Sequence, residues 1–301
     1  MLYTKNPLTS LAGTMLSALL LFSSLAQAVP LSPESAPVYI AKRAVAKRII
    51  LWDYSLTRDL AAYPAIQASA NSLANSPVVT TIVNWETWRP TELHSNLQFE
   101  PTVRTPAYLS GDDWNRVLSA SSSTQGLMVH LYNEPERQSV SVADALAAWR
   151  NTMLPLRAQH GVKLSSPACA ADAAGTAWLD SFMSQLSAAE KPDFVGIYFY
   201  ADAAQNAADE VQSAQDYLNT RHTKFGIPIV ILEMASTSRD FSVMDTFTRQ
   251  MVAWLDGQDW VNKYGFFGVS REPVDSFVSP AAQLMDVNGA WTALGHFFTG
   301  V

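Results

Sequence analysis

The chain has 301 residues, of which 48% are hydrophobic and 16% charged, and a formal net charge of −7. That length and hydrophobic share suit a globular protein with a sizeable core, and the acidic balance argues against nucleic acid or an anionic membrane as partner. The lone cysteine, Cys169, excludes an intrachain disulfide, so packing has to hold the fold.

The N-terminus reads as a targeting segment. Lys5 gives a positive start, residues 11–25 are apolar, and Ala26-Gln27-Ala28 has the small-x-small pattern of a signal-peptidase site. Residues 1–28 therefore predict a signal peptide and a secreted protein, extracellular or in a cell wall. The apolar run is short for a span and no later stretch reaches that length, so no membrane attachment is expected after cleavage. Residues 29–48 are rich in Pro, Ser and Ala and carry Lys42-Arg43 and Lys47-Arg48. Such pairs resemble kexin-type processing sites, which makes the segment a propeptide or, alternatively, a basic linker that is never cut. The remaining residues, 49–301, match the size of one (β/α)8 barrel.

From there strand-like and helix-like segments alternate, the signature of a parallel α/β architecture. The first strand is 48–54, followed by a helix-compatible stretch to about 74. The second is 78–83 and runs into Asn84-Trp85-Glu86-Thr87-Trp88. A weaker third strand falls at 102–109, and a helix starts at Gly111-Asp112-Asp113, where two acids suit the helix dipole. The fourth strand, 126–132, ends abruptly in Asn133-Glu134-Pro135. Ser141 and Asp144 form a capping-box pattern that opens a helix ending near His160-Gly161. The fifth strand is 162–167, with a helix over 177–189 whose Trp178, Leu179, Phe182, Met183 and Leu186 share one face. Strand six is 194–200, with a helix over 204–225. Strand seven is 227–233, with a helix over 241–255. Strand eight is 263–269, and a last helix covers 292–298. Eight strands with intervening helices favour a single (β/α)8 TIM barrel over an open sheet.

Two of those strands end in acids. Leu127, Met128, Val129 and Leu131 lead to Glu134, and Ile229-Val230-Ile231-Leu232 lead to Glu233. Strands apolar on both faces belong in a parallel sheet buried under helices. In a barrel the C-terminal strand ends build the active site. Pro135 biases Glu134 towards extended backbone. Two carboxyl groups flanking a bond are what glycoside hydrolysis requires, about 5–5.5 Å apart for retention of configuration and about 6.5–9.5 Å for inversion. Glu134 as a solvated loop residue, and Glu233 as a helix cap or a partner of Arg239, are the alternatives. Other rim acids are Glu86, Glu136 and Asp202, none after so clean a strand. Trp85 and Trp88, and Trp52 and Tyr54, stand at strand ends where an aromatic face either stacks on sugar or packs in a loop. His130 lies within strand four and reads as core rather than proton relay; Cys169 reads as buried and inert. No Cys/His cluster suits zinc, and neither a phosphate-cradling loop nor a dinucleotide fingerprint occurs, so no metal and no cofactor is expected.

Several runs together resemble glycoside hydrolase family 128, the catalytic core of the fungal alkali-sensitive linkage proteins. They are Tyr132-Asn133-Glu134-Pro135-Glu136, Lys163 through Ala168, Trp178 through Phe182, Asp193-Phe194-Val195, Ile231 through Ala235, and the closing Leu284 through Gly289 with Thr292 through Gly295. The resemblance implies a (β/α)8 barrel that hydrolyses β-1,3-glucan with retention, with Glu134 as acid/base and Glu233 as nucleophile. It further implies Asn133 on the sugar 2-hydroxyl; for those roles to work, Glu134 is expected to be protonated at rest and Glu233 ionised. The family's sixth strand usually ends His-Trp-Tyr, where Tyr198-Phe199-Tyr200 stands here. The eighth usually carries a Trp near the rim, where Gly265-Phe266-Phe267-Gly268 stands. A hydroxyl at Tyr198 or Tyr200 is then expected on the nucleophile, and both tyrosines in the cleft. The polysaccharide is the expected partner of a monomer. A non-catalytic wall protein on the same fold, or a hydrolase of another β-glucan, stays open at this point.

Overall fold

Nine short strands, all paired in parallel, occupy eight positions around a ring. They belong to a computed structural model that describes residues 46–273 and 276–301. The expected signal peptide, and all of the expected propeptide but its last three residues, lie outside the described residues. In chain order the strands are β1 (Arg48–Leu51), β2 (Val79–Val83), β3 (Gln98–Phe99), β4 (Thr102–Val103), β5 (Met128–Leu131), β6 (Lys163–Ser165), β7 (Val195–Ala201), β8 (Ile229–Ser236) and β9 (Val261–Tyr264).

One ladder runs β3-β2-β1-β9-β8-β7 and the other β4-β5-β6. β3 and β4 are two halves of the third position, split at Glu100-Pro101, where a proline cannot donate to the ladder. The bridges Ser165↔Phe194 and Cys169↔Ile197 join β6 to β7 and close the ring. The result is the expected (β/α)8 barrel. The strands alternate: Ile49 and Leu51 face inward with Val83, Met128, Val230 and Leu232, while Ile50 joins the larger core against the helices with Trp149, Phe182, Phe247 and Phe298. Gly196 is required where β7 enters, since a Cβ there would lie 2.8 Å from the Ser166 carbonyl oxygen.

Several sequence boundaries move. The third strand ends at Val103, and residues expected to extend it form a 3-10 turn, Pro106–Leu109. The eighth strand is Val261–Tyr264, earlier than expected. Ser141 does cap Val142–Ala148, its hydroxyl accepting from the Asp144 N–H at 3.1 Å. That helix continues through a π-helical turn, Trp149–Met153, into Leu154–His160. The domain boundary also needs correction. Lys47 and Arg48, assigned above to the processing segment, are part of the barrel. Arg48 starts β1, pairs with Asp256 at 2.8 Å and donates to the Phe298 carbonyl at 2.8 Å. Lys47 donates to the Gln258 carbonyl at 2.6 Å.

Inside the barrel a polar layer sits among the apolar ones. Glu100, fully buried at the β3–β4 break, receives Lys263 on one oxygen and His130 Nε2 at 3.1 Å on the other. His130 Nδ1 lies 2.9 Å from Ser165 Oγ. Burial pushes the Glu100 carboxyl up, but His130 and Lys263 outweigh it and hold it below the usual range.

Candidate active site

The strand ends at the opposite face from Lys47 and Arg48 carry an unusual backbone. Trp85 (φ 59°), Tyr132 (φ 49°) and Glu134 (φ 44°) all adopt the left-handed region, at a cost of about 1–3 kcal/mol each for side-chain-bearing residues. Glu134 is therefore not in the extended geometry that Pro135 favours. Hydrogen bonds override that bias. The Glu134 N–H donates to the Ala168 carbonyl at 2.8 Å, and its own carbonyl accepts from Arg137 N at 3.0 Å and Gln138 N at 3.2 Å. The turn after β5 is thus pinned to the end of β6, and the Glu134 side chain emerges from it partly exposed, at 26%.

Glu233 is held differently. It lies within β8, in register with Tyr198 on β7, and is 8% exposed. The Tyr200 hydroxyl donates to its Oε2 at 2.6 Å, so Tyr200 is the tyrosine that reaches this carboxylate. Tyr198 instead donates to Asn133 Oδ1, fixing that amide from below and leaving its N–H groups for another acceptor. Trp85 Nε1 lies near Glu233 and Tyr198, near enough to favour the charged form of each, but it completes hydrogen-bond geometry with neither.

Both glutamates line one cavity of about 840 Å³, in the size range of small-molecule sites. Asn133, Trp85, Tyr200 and the exposed Tyr54 share its wall, so all of these sequence-derived candidates meet there. Tyr198 lies beneath the wall, fully buried, and acts on the cavity through Asn133. Trp88 is not brought to the cavity. The loop after β2 doubles back, with Asn84 Nδ2 donating to the Trp88 carbonyl at 2.9 Å. Trp52 is buried, stacked edge-on against Trp291.

Each competing acid has at least one partner, although Glu136 keeps a buried Oε2 without one and Asp202 also lines the cavity. Glu86 pairs with Arg104 at 3.2 Å and accepts from Tyr108 at 2.8 Å. Glu136 accepts from the Ala170 N–H at 2.9 Å, and Asp202 from the Ala204 N–H at 3.0 Å. Arg239, the alternative partner for Glu233, donates to the backbone carbonyls of residues 276–278 instead. Cys169 is buried and free.

Sequence reading missed Arg137 and Asp172 on the cavity wall, whereas Phe267, from the strand-eight stretch that replaces the family's Trp, lines it as expected. Arg137 Nε donates to Glu134 Oε1 at 3.0 Å and its Nη2 to Asp172 Oδ2 at 3.0 Å. The only signal for it was its place three residues after Glu134 in a turn. Phe267 packs on Trp85, ring centroids 5.6 Å apart.

Both carboxyl groups are raised, and the charge of Glu134 is one cause at Glu233. Burial is the largest cause at Glu233, opposed by the Tyr200 hydrogen bond and reinforced by the charge of Glu134, and it lifts Glu233 to about 8. Burial also raises Glu134, but there Arg137 opposes the rise. The protein's own groups therefore lean away from the expected resting state of protonated Glu134 beside ionised Glu233. With Glu134 ionised, its charge helps to keep the proton on Glu233, so the two titrate as a pair.

The family model described as "Glycosyl hydrolase catalytic core" matches residues 61–298. The chain is similar to a family 128 (subgroup VI) exo-β-1,3-glucanase from Aureobasidium namibiae, at 34% identity over 85% of this chain and 96% of that one, TM-score 0.76. It also shares its fold with a subgroup IV endo-β-1,3-glucanase from Lentinula edodes (22% identity, 84% and 99% covered, TM-score 0.67). A third similar structure is a subgroup I endo-β-1,3-glucanase mutant from Amycolatopsis mediterranei in complex with laminarihexaose (20% identity, 85% and 100% covered, TM-score 0.66). No curated protein matches the chain.

Proposed function

The chain belongs to glycoside hydrolase family 128, and from that premise we propose that it is a secreted, monomeric enzyme that cleaves β-1,3-glucan with retention by double displacement. It is a glycoside hydrolase of the β-1,3-glucanase type. The observation that supports the two-step reading best is that Glu134 and Glu233 share one cavity and that Glu233 feels the charge of Glu134.

In this reading Glu233 is the nucleophile. Tyr200 occupies its Oε2, which leaves Oε1 to attack the anomeric carbon. Glu134, on its more open turn, gives its proton to the departing glycosidic oxygen. It then takes a proton from the water that attacks the glycosyl-enzyme, and the bond to Glu233 breaks. Asn133 offers its N–H groups to the sugar 2-hydroxyl, a contact that strengthens as positive charge develops on the ring. Trp85, Phe267 and Tyr54 supply apolar faces for the glucosyl units. Export rests on the N-terminal pattern. Because Lys47 and Arg48 are built into the barrel, processing after Arg43 leaves the domain whole, whereas a cut after Arg48 removes part of β1.

Two measurements test this. Laminari-oligosaccharides hydrolysed in an NMR tube should release the β-anomer first; release of the α-anomer rejects retention. Glu233→Gln should abolish turnover, and Glu134→Gln should cost about 10²–10⁴-fold on unactivated glucan. Full activity in either variant rejects the assignment.

A further inference from the structure

Beyond the two glutamates, the cavity wall carries Asp53, Arg104, Arg137, Asp172 and Asp202, and of these Arg137 is the cation bonded to Glu134. Arg137 is anchored in the turn that carries Glu134, and its guanidinium is divided between two carboxylates, Glu134 at 3.0 Å and Asp172 at 3.0 Å, with Glu136 at 4.0 Å. Its side chain is 54% exposed and lines the cavity, as does Asp172. Asp172 is fixed independently: its Oδ1 caps the helix Ala173–Ser184 by accepting from the Gly175 N–H at 2.8 Å. So a planar, multivalent donor and a rigid acceptor stand beside the acid/base, open to the cleft.

This arrangement helps one half of the proposed reaction and hinders the other. A guanidinium donating to Glu134 Oε1 favours its carboxylate. That is the form needed to take a proton from water in the second step, and the wrong form for protonating the leaving oxygen in the first. We propose that Arg137 and Asp172 are a sugar clamp on the leaving-group side, and that Arg137 exchanges Glu134 for hydroxyl groups of the departing unit in each cycle. The inference rests on the two-glutamate reading above.

The cycle balances as follows. When glucan binds, hydroxyls of the leaving-side sugar accept from Arg137 and donate to Asp172. Glu134 loses its cationic partner and takes up the single proton of the carboxyl pair, leaving Glu233 ionised. Glu233 attacks the anomeric carbon, the glycosidic bond breaks, and the proton passes from Glu134 to the leaving oxygen. The leaving sugar departs and Arg137 returns to Glu134 Oε1. Water then adds to the anomeric carbon, its proton goes to Glu134, and the ester to Glu233 opens. The clamp thereby moves the proton off Glu233, the more deeply buried of the two, only when a sugar is present to be cleaved. The other charged groups that act on Glu134 are Glu136 from its own turn and Asp172 before the helix Ala173–Ser184, both raising it, while Glu134 in turn raises Glu233 from β8, Tyr198 and Tyr200 from β7, and Cys169 after β6. Arg137 is the cation that holds it.

Arg137→Gln and Arg137→Lys separate the outcomes, and exposure of the side chain keeps the fold out of question. With laminaritetraose, Arg137→Gln should raise KM and move the alkaline limb of kcat/KM upward by about one pH unit, because the pair loses a neighbouring cation. Arg137→Lys should keep the limb and still raise KM, since a point charge lacks the bidentate fork. With an aryl β-laminaribioside, whose leaving group needs no protonation, Arg137→Gln should show a burst, a roughly tenfold lower steady rate, and recovery in azide, which attacks without a general base. An unmoved alkaline limb together with an unchanged aryl steady state overturns the clamp. Glu134→Gln runs beside it. If azide rescues Glu134→Gln while Arg137→Gln behaves as wild type, the clamp alone is wrong; if azide fails to rescue Glu134→Gln, the parent assignment falls and the clamp with it.

Discussion

The barrel interior holds two polar layers, and they differ in one respect that explains both. In the lower layer Glu100 is fully buried, yet each carboxylate oxygen has a cationic or ring N–H partner, Lys263 or His130, and His130 is in turn fixed by Ser165. Its carboxyl is held low. In the upper layer Glu233 is almost as deep, has one hydroxyl partner in Tyr200, faces a second carboxylate rather than a cation, and is lifted to about 8. Trp85 leaves an indole N–H near Glu233 that completes no hydrogen bond. The same residue type at similar depth is a structural tie where its partners are complete and a reactive group where they are withheld. Backbone strain follows the same division, with Trp85, Tyr132 and Glu134 in the left-handed region at the upper layer.

The comparison breaks most visibly if the lower layer loses its cation. Lys263→Met strands the Glu100 carboxylate with His130 alone, and removing one partner of a buried pair costs about 3 kcal/mol. Chemical denaturation at pH 7 should show that loss, with glucanase activity of the folded fraction little changed. A loss below about 1 kcal/mol would mean that the layer is not a structural tie. In the wild type the pH sense is fixed by the lowered Glu100: its contribution is present above the unfolded carboxyl pKa and disappears as pH falls through the folded one.

The next effect has the opposite sign. Glu233 has a folded pKa raised above its unfolded one, so its folded-state penalty is absent below about 4.5 and grows as pH rises towards 8. Glu233→Gln keeps an acceptor for Tyr200 and removes the charge. It should stabilise the protein by about 2 kcal/mol at pH 8 and by nearly nothing at pH 4, while abolishing turnover. Thermal melts at the two pH values read this directly. Equal stabilisation at both would show that shape rather than charge is what the site pays in stability.

How far these layers could be read from the chain depends on which contacts are local. The apolar runs before Glu134 and Glu233 announced two acids on strand ends, because strand burial and an abrupt polar ending are written in consecutive residues. Ser141 announced its cap for the same reason. The turn geometry of Glu134 was not legible: Pro135 argues for extended backbone, and the decisive bond comes from Ala168, over thirty residues away. The Glu100, His130 and Lys263 tie joins three separate strands, so His130 alone looked like ordinary core. Trp85 and Trp88 looked equivalent in sequence, yet only Trp85 lines the cavity, and the fold of the loop between them, closed by the Asn84 bond to the Trp88 carbonyl, is not written in either tryptophan. Arg137 was local but lacked a distinguishing pattern, since an arginine in a turn is usually solvated.

The smallest change worth making lies within the upper layer. Tyr200→Phe removes one hydroxyl from Glu233 and preserves the ring that packs against Phe267 at 6.2 Å and Phe277 at 5.1 Å. A hydrogen bond to a charged group is worth about 1.5–3 kcal/mol. Part of that is lost in both the ionised ground state and the transition state, so kcat should fall only about tenfold. The hydroxyl favours the ionised form of Glu233, and without it the carboxyl rises further. The active, ionised nucleophile is then populated only at higher pH, and the optimum for kcat should move upward with the fall in rate. A tenfold loss with an unmoved optimum would mean that Tyr200 orients Glu233 without tuning its charge. The upper layer would then differ from the lower one in the partner's position and not in its effect on ionisation.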